Sequence, residues 1–203
     1  MTTLTGKSTF ADLAFWTEWV VGSALGWLSA FLIFFYALSA WIGDPDLVLA
    51  EDSLAFAVYL AVLFAAAGAG LGLVQALLLR TQLPGRVVWP WLIGSAAGFV
   101  TVAILSAVIP ETVNSTTNSV LHNIAGGLVA AFIQLRVLRR TSTRAWLWAP
   151  ASAIGFLTAA WLSNIIVAVG GDESVGELVG IAAMAALTGI TLLWIMGCHE
   201  PEG

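Results

Sequence analysis

Charge is the scarcest property of this chain, and its scarcity excludes most soluble functions. Only 9% of the 203 residues are charged and 60% are hydrophobic, whereas about a quarter of the residues in a typical soluble protein are charged. So few charges cannot cover a soluble core of this size, so lipid must solvate most of the chain. The net charge of −5 also removes the electrostatic basis for binding nucleic acid.

Reactive residues are equally few. The single cysteine excludes an intrachain disulfide, and the sequence contains no zinc-ligand spacing, P-loop or nucleophile motif. No carboxylate pair or Ser-His-Asp set falls inside an apolar run, although intramembrane ionisable residues are the usual mark of function in membrane proteins. We therefore expect no catalysis, no metal site and no ion-coupled transport, and the sequence assigns no cofactor.

Six apolar runs are present instead, each about 20 residues or longer, which is enough to cross a ~30 Å hydrocarbon layer. They cover residues 15–41, 53–79, 88–109, 119–138, 145–170 and 177–197. The sequence therefore predicts an all-α integral membrane protein with one six-helix domain over residues 1–203. The first run is longer than the apolar region of a signal peptide, about 7–15 residues, so we expect it to be retained.

Basic residues lie only before the first run, near the end of the fourth run, and in the connections that follow the second and fourth runs. The seven are Lys7, Arg80, Arg86, Arg136, Arg139, Arg140 and Arg144. All charged residues in the other connections are acidic, so the positive-inside rule places both termini in the cytoplasm. The expected location of the protein is the cytoplasmic (inner) membrane of a prokaryote. Five of the arginines are expected to contact anionic lipid headgroups, or else the acidic surface of a partner: Arg80, Arg136, Arg139, Arg140 and Arg144.

The odd-numbered runs begin with one repeated phrase. Trp19, Trp91 and Trp148 are each followed by a serine four residues later and by a glycine three residues after that, which places all three positions on one helix face. The small residues of this stripe are Ser23, Gly26, Ser95, Gly98, Ser152 and Gly155. They are expected to let helices pack closely in lipid, and the alternative is space for a flat apolar ligand such as a carotenoid or quinone. An interfacial aromatic belt is the expected setting of the six tryptophans near this boundary: Trp16, Trp19, Trp89, Trp91, Trp146 and Trp148.

The even-numbered runs share a glutamine that lies five residues before an arginine. Gln75 precedes Arg80, and Gln134 precedes Arg139. An amide inside the apolar layer is expected to bond to a neighbouring helix, and the alternative is a polar lining for a solute path.

Together the two patterns predict three repeated helical hairpins around a pseudo-threefold axis, with boundaries near 15–79, 88–138 and 145–197. The third copy is partly degenerate, because Leu187 and Leu192 stand where the glutamine and arginine would fall. The glutamine–arginine helix end followed by a Trp-started helix resembles uncharacterised multi-pass membrane proteins of cyanobacteria and Chloroflexi-type bacteria. This resemblance covers most of helices 2–5 and implies no activity and no site residues.

Three polar residues near the other end of the helices have no counterpart in the remaining hairpins: His122, Asn123 and Asn164. His122 is a candidate cofactor ligand, because neutral imidazole can bind a metal or a chlorophyll magnesium. A histidine that is simply hydrogen-bonded is the alternative.

The predicted function is that of a non-catalytic accessory or scaffold subunit of a larger membrane assembly, with membrane lipid and other membrane subunits as partners. One alternative is a small-solute channel, with a path lined by Gln75, Gln134 and the three serines of the stripe. The other alternative is a pigment- or lipid-binding protein.

Overall fold

A computed structural model describes residues 7–43, 54–83, 86–109 and 115–197, and its regular structure is helical throughout this part of the chain. The α-helices are α1 (Lys7–Ile42), α2 (Leu54–Arg80), α3 (Val88–Val108), α4 (Ser115–Leu138), α5 (Trp148–Ala168) and α6 (Glu173–Met196). A short 3-10 segment, Thr143–Leu147, precedes α5. All six helices are long and apolar enough to cross a membrane, which confirms the predicted helical class and fits a multi-pass membrane protein.

Helix α1 begins at Lys7, eight residues before the apolar run that predicted it. Hydropathy marks only the stretch that suits lipid, which in this part of the chain is the run of residues 15–41. At 1.5 Å per residue the 36 residues of α1 extend over about 54 Å, compared with about 32 Å for the 21 residues of α3. The backbone hydrogen bonding of α1 therefore continues past the apolar region.

Prolines and a capping aspartate lie at three other helix starts. Pro90 and Pro150 each occupy the third position of their helices, α3 and α5, where a missing N–H leaves no intrahelical bond unmade. Asp172 caps α6, because its side chain accepts hydrogen bonds from the backbone N–H groups of Ser174 at 2.9 Å and Val175 at 3.3 Å. This cap explains why α6 starts four residues before the predicted apolar run.

The helices form a closed ring. Each helix packs on the next one along the chain, and α6 packs back against α1. Every odd-numbered helix therefore lies between two even-numbered ones. Large apolar side chains are exposed on the outside of all six helices, as expected where lipid is the solvent.

The ring has two chemically different ends. The basic end carries the connections 81–87 and 139–147, and its arginines are exposed. The acidic end carries the remaining three connections, in which the sequence places Asp44, Asp46, Glu51, Asp52, Glu111, Asp172 and Glu173. The first four of these, together with Glu111, lie outside the described residues.

Helices α3 and α4 come close together at a pair of glycines. A Cβ atom on Gly98 would lie 2.8 Å from the carbonyl oxygen of Gly126 and 3.1 Å from Cζ of Phe156. The first of these neighbours is backbone and cannot rotate away. Only glycine at position 98 therefore permits this helix separation.

Candidate functional site

Three tryptophans meet inside the bundle near its basic end. Trp19, Trp91 and Trp148 are 0%, 0% and 2% exposed. The ring centroid of Trp91 lies 6.4 Å from that of Trp19 and 5.4 Å from that of Trp148. The expectation that these three side chains belong to an interfacial belt is therefore wrong. Trp148 is the first residue of α5 and Trp91 is the fourth residue of α3, whereas Trp19 lies well inside α1. All three rings nevertheless point into the protein, where the indole N–H groups find acceptors.

The other tryptophans of the basic end behave differently. Trp89 and Trp146 are 66% and 61% exposed, as residues of an interfacial belt would be. Trp16 is partly buried and donates from Nε1 to the carbonyl oxygen of Ala186 at 3.0 Å, which links α1 to α6.

Gln75 joins three helices through its side-chain amide. Its Nε2 donates to Oγ of Ser23 on α1 at 3.0 Å, and its Oε1 accepts a hydrogen bond from Nε1 of Trp91 on α3 at 3.0 Å. The glutamine is buried, so an unmade bond here would cost about 1–3 kcal/mol. The amide nitrogen and the amide oxygen are instead each hydrogen-bonded to a residue of a neighbouring helix.

Gln134 makes the corresponding contacts from α4. Its Nε2 donates to Oγ of Ser95 on α3 at 3.1 Å and to the carbonyl oxygen of Trp91 at 3.5 Å. Its Oε1 accepts from Nε1 of Trp148 on α5 at 2.8 Å. Each glutamine therefore bonds the serine of the odd helix before it and the tryptophan of the odd helix after it.

The third hairpin supplies a threonine in place of a glutamine. Thr188 on α6 is buried, and its Oγ1 accepts from Nε1 of Trp19 at 3.5 Å while donating to the carbonyl oxygen of Met184 at 2.9 Å. The indole bond is the longest of the three and lies at the limit of hydrogen bonding. Leu187, the residue aligned with the glutamines, is partly exposed and takes no part.

These contacts define a core network of tryptophans, glutamines and hydroxyl residues. Its members are Trp19, Ser23, Gln75, Trp91, Ser95, Gln134, Trp148 and Thr188. Ser152, the third serine of the stripe, is also buried and lines a central cavity of only about 20 Å³. That volume is close to what one water molecule requires.

The glycines of the stripe lie where helices touch. Gly98 and Gly155 are buried and Gly26 is half-buried. A Cβ on Gly26 would come within 2.8 Å of the carbonyl oxygen of Gly70, and one on Gly155 would lie 3.0 Å from Cγ of Met184.

His122 lies near the acidic end and is 4% exposed. Its Nδ1 is 3.2 Å from Oγ of Ser106 on α3, a hydrogen-bond distance. Its Nε2 is buried without a hydrogen-bond partner among the described residues. One ring nitrogen is therefore held by the protein, while the other has no partner in the part of the chain that the structure describes.

A cleft of about 610 Å³, here called the end cleft, adjoins this histidine between the ends of α3, α4 and α5. Its polar lining consists of Ser106, Asn118, Ser119, His122 and Asn164, and its apolar lining includes Leu157, Trp161 and Ile165. The volume falls in the range of small-molecule sites. His122 and Asn164, two of the three unrepeated polar residues of the sequence, thus come together at one site.

Asn123 does not join them. Its Nδ2 donates to the carbonyl oxygen of Ser119 in its own helix at 2.8 Å, and it is not part of the cleft lining. Among the described residues, no three His, Cys, Asp or Glu side chains gather in one place.

The arginines expected at lipid headgroups are exposed at the basic end: Arg80, Arg136, Arg139, Arg140 and Arg144. The guanidinium of Arg144 also lies over the ring of Trp194, 5.5 Å from its centroid, and so connects the 3-10 segment to α6.

Sequence reasoning missed the partnership between tryptophan and glutamine and the part played by Thr188. A signal was present, because the two hairpins that carry a glutamine are each followed by a Trp-started helix. Thr188 was hidden because it lies one position beyond the residue that a gapless alignment places opposite Gln75.

Comparisons with known proteins add no relative. No protein-family model matches the chain, and neither do curated proteins or solved structures.

Proposed function

We propose that this chain is a non-catalytic accessory or scaffold subunit of a larger membrane assembly. The observation that carries the proposal is the core network, which uses the polar side chains of the bundle centre to bond one helix to the next. Groups that are already bonded in this way are not free to act on a substrate. The outer surface, with its large exposed apolar side chains, then provides the contacts with lipid and with other membrane subunits.

The three hairpins are, in this proposal, structural repeats around a pseudo-threefold axis. Two observations support it. Gln75 and Gln134 make corresponding bonds to the helices on either side, and the ring closes between α6 and α1 through Thr188 and Trp19. The third copy has lost the glutamine but keeps a hydroxyl acceptor for the indole.

We also propose that the basic end faces the cytoplasm of a prokaryotic cell. The exposed arginines of that end support this orientation through the positive-inside rule. Cys198, which lies outside the described residues, follows α6 and should then be cytoplasmic. An impermeant maleimide should label it only after the cells are opened, and labelling of intact cells would reverse the orientation.

The channel alternative has less support. Its path would run along the ring axis past Gln75, Gln134 and the serines, but the central cavity measures only about 20 Å³. Aromatic rings crowd the same axis, with the centroids of Phe99 and Phe156 5.0 Å apart. Conduction would require the core network to open.

Native mass spectrometry after gentle extraction tests the accessory role. We expect the chain to leave the membrane with other subunits at a fixed stoichiometry that persists in two different detergents. A bare monomer or homo-oligomer in both detergents would overturn the proposal. If that same preparation also released a small solute from liposomes, the channel would take its place.

A further inference from the structure

We propose that the end cleft binds the uncharged, hydroxyl-bearing headgroup of a membrane lipid. The starting point is the buried Nε2 of His122, which has no partner among the described residues although His122 lines a cleft of about 610 Å³. A buried polar atom beside an open space is an atom that a ligand can satisfy. This inference does not depend on the accessory role proposed above.

The hydroxyl requirement follows from the imidazole itself. Ser106 can donate to Nδ1 or accept from it, so Nε2 is either a donor or an acceptor in the neutral ring. A hydroxyl group suits both cases, because it donates and accepts. The amide of Asn164, on the α5 side of the cleft, likewise offers both a donor and an acceptor.

Charge argues against a phosphate headgroup. No arginine, lysine, aspartate or glutamate is among the described residues that line the cleft. The sequence places every arginine and the single lysine at the opposite end of the bundle. The charged residues in the connections of the cleft's own end are all acidic. An anionic headgroup would therefore meet repulsion and no cation to offset it.

Depth and lining argue for a lipid over a soluble molecule. Asn164 lies four residues before the end of α5, and His122 lies seven residues after the start of α4. At 1.5 Å per residue both are within about 10 Å of the helix ends, the depth at which lipid headgroups give way to acyl chains. Leu157 and Ile165 supply an apolar wall for those chains.

Trp161 adds a surface on which a sugar or glycerol unit can lie. It lines the same cleft and is 63% exposed, so its ring is accessible from the membrane side. Tryptophan combines an apolar face with a polar edge and is suited to this boundary.

Nanodiscs provide the test. The full chain is placed in dioleoylphosphatidylcholine nanodiscs that contain a small, equal fraction of either a monoglucosyl dioleoylglycerol or dioleoylphosphatidylglycerol. Native mass spectrometry then counts the lipid molecules that stay bound to the protein after it is released from the nanodisc. We expect the glucosyl lipid to be retained in preference to both phospholipids.

Variants locate the site. Asn164→Leu should lower retention of the glucosyl lipid about three- to tenfold, the effect of losing one hydrogen bond. Asn123→Leu is the matched control, since it makes the same change near the same end but outside the cleft, and should bind as wild type. His122→Phe should also lower retention. If that variant does not fold, Asn164→Leu still decides the question, because Asn164 is exposed.

Three results would overturn the proposal. One is equal or greater retention of phosphatidylglycerol. The second is unchanged retention in Asn164→Leu. The third is displacement of the lipid by methyl glucoside alone, which would indicate a soluble ligand.

Discussion

The basic and acidic ends of the bundle treat their buried polar groups differently. At the basic end, both atoms of the Gln75 and Gln134 amides are bonded to neighbouring helices, and the cavity beside them measures about 20 Å³. At the acidic end, Nε2 of His122 has no hydrogen-bond partner among the described residues, and the histidine lines a cleft of about 610 Å³. Buried polar groups are thus paired across helices at one end of the bundle, whereas at the other end a buried nitrogen has no partner among the described residues.

The largest effect is expected from a substitution that breaks the core network. Gln134→Leu removes the acceptor of Trp148 Nε1 and the donor to Ser95 Oγ, so two buried polar groups lose their partner. We expect a loss of about 2–4 kcal/mol in unfolding free energy, seen as a lower melting temperature in detergent. Gln82→Leu, the same change at an exposed site of the basic end, is the control. Equal melting temperatures for the two variants would show that the network contributes nothing to stability.

Helix spacing provides the second test. Gly98→Ala places a methyl group against the backbone of Gly126 and should cost about 1–3 kcal/mol, as overpacking does. Gly155→Ala meets the flexible side chain of Met184 instead and should cost clearly less. Thermal unfolding of both variants in one detergent makes the comparison. An equal loss at both positions would contradict the idea that the α3–α4 approach is the less forgiving one.

A third test compares two tryptophans of the core network. Trp148 donates over 2.8 Å to a glutamine, whereas Trp19 donates over 3.5 Å to Thr188. Trp148→Phe should therefore destabilise the protein by about 1 kcal/mol more than Trp19→Phe, the net value of one hydrogen bond. Both changes remove a similar ring volume, so the difference in melting temperature reports the bond. A larger loss of unfolding free energy for Trp19→Phe would show that the hydrogen bond between Trp19 and Thr188 is the stronger of the two.

The smallest effect concerns the end cleft. Asn164→Leu changes an exposed residue, so the unfolding free energy should change by no more than about 0.5 kcal/mol. The melting temperature in detergent without added lipid measures this change. A polar-to-apolar change is thus expected to be neutral at the acidic end and severe at Gln134. A large destabilisation by Asn164→Leu would make this residue part of the fold, as the glutamines are.

The six spans could be predicted from the sequence, because a helix that crosses lipid must be long and apolar, and hydropathy measures both properties. The inward direction of the three tryptophans could not. A tryptophan near the membrane boundary suits the interface and suits a buried hydrogen bond equally well, and the choice depends on which side of the helix has a neighbour. The exposed Trp89 and the buried Trp91 are only two residues apart.

The candidate sites were predictable to different degrees. Gln75 and Gln134 stand out in the sequence because an amide is expensive in an apolar run. Their partners emerge only when helices that are distant in sequence are brought together. The end cleft depends on the convergence of α3, α4 and α5, and the sequence indicated only that His122 and Asn164 lack counterparts in the other hairpins.

The closure of the ring between α1 and α6 also imposes an order on biosynthesis. Ser23 and Gln75 are 52 residues apart, so their bond can form soon after the second helix leaves the ribosome, whereas Trp19 must wait for Thr188, 169 residues later. Because chains are made and folded from the N-terminus, the flank of α1 that α6 will cover stays open to lipid or to the insertion machinery until synthesis is nearly finished. A nascent chain stalled before α6 would therefore expose the indole of Trp19, and quality control could use that exposed surface to tell an unfinished protein from a complete one.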